Sequence, residues 1–166
     1  MSDLSTTDGI PCRPIDRVAS ARTLTRFMRE EIPLARAMDV QLAEYSGNMV
    51  SLRVPLAPNV NDKGCAFGGS LVSLMTLTGW ALVELALRER GEACDVYVGE
   101  STVHYLAPLW QDFRSEARLA GGDWTTFFAT LAARGKARIE VACRVPGDNG
   151  TSAATLSARF VAKRRQ

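Results

Sequence analysis

The chain has 166 residues, 46% hydrophobic and 23% charged, enough for one globular domain that buries a core without disulfide or metal support. Its 20 basic and 18 acidic residues net only +2, which gives no sign of the clustered basic excess of a nucleic-acid binder. One histidine and four cysteines (Cys12, Cys65, Cys94, Cys143), none at CxxC spacing, do not make a zinc-site pattern, and spread thiols fit a reducing compartment.

Residues 1–15 read as a flexible tail: Ser, Thr, Gly and two prolines, no periodicity and no apolar signal core, so the expected location is cytoplasmic. Residues 16–166 then form a single domain. A helix is predicted from Asp16 to Ile32, with Leu24, Phe27, Met28 and Ile32 as its apolar stripe and Pro33 as its stop. Val40 to Ser46 and Val50 to Leu56 read as a hairpin turned by Gly47-Asn48; the second strand alternates Val50, Leu52 and Val54 with Ser51 and Arg53.

A loop from Pro58 to Phe67 leads to a long helix that opens at Gly68-Gly69-Ser70 and stops at Gly91. It is apolar on nearly every face and so must be surrounded by protein. Its polar residues, Ser73, Thr76, Thr78 and Glu84 among them, leave it short of the roughly 20 apolar residues of a membrane span.

Strands follow at Val96–Leu106 and Phe113–Leu119. A short helix capped by Asp123 comes next, carrying Trp124, Phe127, Phe128 and Leu131 on one stripe and ending at Gly135. Two more strands, Ala137–Val145 and Ser152–Lys163, close the chain. Strands with one apolar face, plus one all-round apolar helix, predict an α+β fold: a curved antiparallel sheet wrapped around the helix. One sheet leaves such a helix incompletely covered, so a homodimer or homotetramer is expected.

The loop into the long helix carries the candidate chemistry. The first turn of a helix presents unpaired N–H groups and a positive partial charge, and glycines let a ligand reach them. Gly68 and Gly69 therefore suit either tight helix entry against a strand or an oxyanion site for acyl transfer. Gly69, Ser73, Thr76 and Trp80 fall on one helical stripe, a slot for an acyl chain or a packing face. On the following strand, Ser101, Val103 and Tyr105 share one face; Glu100, Thr102 and His104 share the other.

Asn61-x-x-Gly64-x-x-Phe67-Gly68-Gly69-Ser70-Leu71 resembles the hotdog-fold thioesterases. It is most similar to the putative-thioesterase family of the YiiD C-terminal type, and the phenylacetate-type branch is related. The resemblance continues through Gly79-Trp80, Leu87 to Gly91, Glu100-Ser101, Tyr105-Leu106 with Pro108, and Leu131 to Arg138, covering about residues 20 to 163. It implies a hotdog fold and hydrolysis of an acyl-CoA or acyl-carrier-protein (acyl-ACP) thioester, with no cofactor, metal, nucleic acid or membrane. The Gly68 and Gly69 amides would polarise the carbonyl, and Asn61 would orient the thioester or water. Thr76 and Ser101 would hold that water, Asp62 would assist, and Phe67, Ser70 and Ser73 would line the substrate site. The phenylacetate-type branch has histidine where Phe67 stands and a carboxylate nine positions later, where this chain has Thr76. A non-catalytic acyl-CoA binder and a hotdog dehydratase or hydratase are the alternatives.

Overall fold

The structure is a computed structural model and describes residues 16–165; the expected tail and Cys12 lie outside them. Asp16 caps helix α1 (Arg17–Glu31) by accepting from the Ala19 N–H at 3.0 Å. Proline at the first helical position then starts a separate short helix, α2 (Pro33–Ala37), which the periodicity does not reveal. Of the predicted α1 stripe, Leu24 and Met28 are buried; Phe27 is exposed, with the Arg88 guanidinium over its ring at 5.6 Å.

Strands β1 (Gln41–Tyr45) and β2 (Val50–Val54) form the expected hairpin, in which left-handed Gly47 makes the turn and Ser46 N–H donates to Met49 O. The central helix α3 spans Gly68–Glu89, followed by β3 (Cys94–Tyr105) and β4 (Phe113–Gly121). Helix α4 (Trp124–Arg134) is capped by Asp123 and ended by left-handed Gly135; β5 (Lys136–Pro146) and β6 (Ser152–Arg164) complete the chain.

The six strands make one sheet, in order β1-β2-β4-β5-β6-β3, with every neighbouring pair antiparallel. The sheet curves around α3, which packs against β2, β3, β4, β5 and β6. This is the predicted curved sheet around a central helix.

Close approach of helix and sheet is made at Gly79. A Cβ there would meet the Phe160 ring at 2.8 Å and Cys143 Sγ at 3.2 Å. Burial in that dry contact pushes the Cys143 thiol up to about 12.

Two expectations for α3 change. The helix is long and apolar enough to cross a membrane by length and composition, but 67% of its most apolar window is buried inside this fold. Nor is it covered all round: Ala81 to Leu87 are buried, whereas Gly69, Val72, Ser73, Thr76, Leu77 and Trp80 form a half-open stripe along its first three turns.

Candidate functional site

The mouth of α3 is built by the loop that precedes it. Asn61 closes the loop on itself: its Oδ1 accepts from the Lys63 N–H at 2.9 Å and the Cys65 N–H at 3.3 Å, and its Nδ2 donates to Cys65 Sγ at 3.2 Å. Left-handed Gly64 then donates back to Asn61 O, a turn that favours glycine. Ala66 N–H donates to Leu109 O, and Phe67 N–H to Asn59 O at 2.7 Å, which ties the loop at two points.

Asn59 is a site-building residue that the motif spacing does not single out. It is 1% exposed, and its Nδ2 donates to Met38 O and Pro55 O. Its Oδ1 has no partner among the described residues. A polar side chain so deeply buried, next to a chain-entry proline, holds the α2 end and the α3 entry together. The sequence signal was only an asparagine in a loop, which reads equally as a surface turn.

Phe67 is the N-cap residue of α3 and offers no side-chain cap. The Gly68, Gly69 and Ser70 amides have no hydrogen-bond partner among the described residues, while Leu71 N–H closes the first turn on Phe67 O. The Phe67 ring lies over Gly69, where any Cβ would collide with it. The Tyr105 ring lies 3.5 Å from where a Gly68 Cβ would stand. Both rings are solvent-accessible, Phe67 53% and Tyr105 58% exposed, so two aromatic edges flank three free amide donors. Such an arrangement can stabilise charge developing on an acyl oxygen, where one positioned donor contributes about 3–4 kcal/mol.

Below the mouth, the half-open stripe carries Ser73 and Thr76. Neither side chain takes part in a hydrogen bond among the described residues, whereas Thr78, on the buried face, donates to Leu74 O. Ser101 lies in register with Ala158, Val103 with Leu156 and Tyr105 with Ala154, all three partners buried under α3. The expected face of β3 is therefore the one turned to the helix. Glu100 is on the other face, bonded to Arg159, and His104 is exposed.

Ser70 is buried in the first turn. Asp62 is exposed and its carboxylate pairs with Lys63 at 2.9 Å. Glu84 lies 11% exposed in the buried half of α3, 3.6 Å from Arg88, and burial raises its pKa above the usual carboxylate value. No group of three or more His, Cys, Asp or Glu side chains placed to hold a metal occurs among the described residues.

Large apolar side chains are exposed elsewhere in the chain too. Val60, Leu106 and Trp110 (61% exposed) are exposed like Phe67 and Tyr105, and further along β3 Tyr97 and Val98 are exposed on its two faces. β3 is a sheet edge of 12 residues, a length and hydrophobicity that edge strands of isolated domains avoid.

The family profile described as "Putative thioesterase (yiiD_Cterm)" matches residues 21–164. Among solved structures, a protein of unknown function from Chlorobaculum tepidum is 26% identical, with a TM-score of 0.82 over 87% of this chain and 94% of that one. A putative thioesterase from Shewanella oneidensis is 24% identical, with a TM-score of 0.79 over 88% and 99%. The PaaI protein of the Escherichia coli phenylacetic acid degradation operon shares the fold at 12% identity, with a TM-score of 0.63 over 89% and 95%.

Proposed function

Because the chain belongs to the thioesterase family of the YiiD C-terminal type, we propose that it hydrolyses an acyl thioester of coenzyme A or of a carrier protein at the mouth of α3. The observation that carries this reading is the trio of unpartnered amides at Gly68, Gly69 and Ser70 between two exposed aromatic edges. The thioester carbonyl accepts from the Gly68 and Gly69 N–H groups, and the acyl chain runs down the stripe past Ser73 and Thr76. Water held by the Thr76 and Ser101 hydroxyls attacks the carbonyl carbon. The tetrahedral oxyanion is stabilised by the amides and collapses with expulsion of the thiolate. Neither hydroxyl ionises near neutral pH, so proton removal falls to a carboxylate, with Asp62 the one in the loop. Asn61 acts by holding the loop that aims the amides.

The active form in this reading is a homodimer or a pair of dimers joined through β3, whose long apolar edge would gain a partner strand. The experiment is a panel of acyl-CoA thioesters of increasing chain length, followed by release of free thiol. Turnover at a few per second or more, with saturation, supports hydrolysis. Tight binding without thiol release would make the protein an acyl-CoA binder, a reading that the absence of a carboxylate at Thr76 favours. Release of water-addition or water-loss products would make it a hydratase or dehydratase.

A further inference from the structure

The fold gathers arginines that the sequence scatters. Gln41, Arg53 and Arg114 stand directly opposite one another on β1, β2 and β4, a row across three strands about 4.8 Å apart. Arg53 and Arg114 are both exposed, and like charges facing across strands destabilise a sheet. On the other side of Gln41, the α1 residues Arg22, Arg26 and Arg29 and the α2 residue Arg36 line a groove against β1. The two hollows, of about 410 and 500 Å³, share Gln41 and form one band around the β1 edge.

The band holds six arginines and two acids, Glu30 and Asp112, a local excess of four in a chain that nets +2. Counting Asp39, which bonds Arg29 at 2.6 Å, and Glu116, which pairs with Arg114 at 3.2 Å, the excess is two. Arg22, Arg26, Arg36 and Arg53 have no ion pair among the described residues. At the opposite edge the arrangement is reversed: Arg159, Arg164 and Arg165 are neutralised by Glu100 and Glu140, Glu92 and Asp95. Of the two sheet edges, the β1 side is thus the one with four arginines left without an acidic partner among the described residues.

The geometry points to this band as the docking surface for an acidic acyl carrier protein, and so to a carrier-borne thioester as the substrate. The inference rests on the thioesterase reading for its acyl site. The positive charge spans the row of strands and two turns of α1, about 20 Å, more than the phosphates of one nucleotide cover. Val40, Leu42, Val54 and Pro55 give the band an apolar floor, and all its cations are arginine, the mixture found in protein interfaces. Its only aromatic residue, Phe113, is buried, so no ring is offered for a base to stack on. The band also adjoins the segment that supports the acyl site. Arg29 Nη1 donates to Val40 O, Asn59 Nδ2 to Met38 O and Phe67 N–H to Asn59 O, so the Met38–Val40 backbone lies between the groove and the residues that hold the α3 mouth. A carrier seated there would extend its flexible thioester arm toward the Gly68 and Gly69 amides.

The test measures binding of a fluorescently labelled acidic acyl carrier protein loaded with an octanoyl thioester, separately from turnover. Expected are saturable binding to the wild type and at least about tenfold weakening between roughly 50 and 300 mM salt, as for screened charge contacts. The triple variant Arg22→Glu/Arg26→Glu/Arg53→Glu should weaken binding by at least about tenfold, while Arg138→Glu, on β5 outside the band, should not. Single Arg26→Gln and Arg53→Gln variants, which carry little risk to folding, should each weaken it by about two- to fivefold. No binding by the wild type, equal weakening by Arg138→Glu, or tighter binding to DNA than to the carrier overturns the proposal. Carrier binding without hydrolysis of any thioester would sink the thioesterase reading and leave the docking surface standing. Acyl-CoA hydrolysis without carrier binding would do the reverse.

Discussion

Two backbone N–H groups, those of Lys63 and Cys65, depend on the Asn61 carboxamide oxygen, and each such bond contributes about 1 kcal/mol. Asn61→Ala should therefore lower the melting temperature as well as kcat/KM, the latter by at least about tenfold, or ~1.4 kcal/mol of transition-state stabilisation. Asn61→Asp keeps both accepting bonds and should restore the melting temperature. A full loss of activity in Asn61→Ala with unchanged stability would instead mean that the side chain acts directly on the substrate. Thr76 tests the stripe. Half-exposed and in no hydrogen bond, it can be replaced by aspartate without burying a charge in a dry core. Thr76→Asp should melt near the wild type and turn over acyl-CoA at an equal or greater rate, because a carboxylate can take the proton that a hydroxyl cannot. A drop of ten degrees or more would make Thr76 a packing residue.

At the scale of elements, α3 has two unlike halves. Its middle is pressed onto the sheet at Gly79, where the Phe160 ring, wholly buried, cannot swing away from a new methyl group. Gly79→Ala should destabilise by about 1–3 kcal/mol in chemical denaturation, the usual cost of overpacking; a neutral result would show that β6 can retreat. The C-terminal half holds Glu84, with Arg88 and Arg165 lowering its pKa less than burial raises it and Asp95 adding to the rise. A carboxyl whose folded pKa lies above its unfolded value binds a proton more readily when folded. Its contribution favours the fold below the unfolded pKa and is lost as pH rises through the folded one. Glu84→Gln should thus melt above the wild type at pH 7, with the gap closing toward pH 4. A variant less stable than wild type at pH 7 would show that the Arg88 pairing outweighs desolvation.

For the molecule as a whole, the two sheet edges differ. β1 is short and ringed by charge, features that discourage strand addition. β3 is long and exposes Tyr97, Val98 and Tyr105. Sedimentation at micromolar concentration should find a dimer or tetramer, and Val98→Lys, which sets a charge on that edge, should shift it toward monomer. A wild-type monomer under those conditions would exclude association through β3.

Element types and order could be read from the residues, because alternation in Val50–Val54 and all-round apolarity in Leu71–Leu87 are local consequences of strand and helix periods. So could the glycine-rich loop into α3, since Gly64, Gly68 and Gly69 mark it by what they lack. Helix α2 carries no such mark, because five residues are too few for a periodic signal. Asn59 escaped because nothing local distinguishes a buried asparagine from an exposed one. The arginine band escaped for a related reason: a count over the chain averages charge, and only strand pairing brings Arg53 to Arg114 and packing brings α1 to β1. Period and turn chemistry act between neighbours in sequence, so the chain carries them openly; burial, register and charge clustering arise between residues far apart, so the tertiary structure alone decides them.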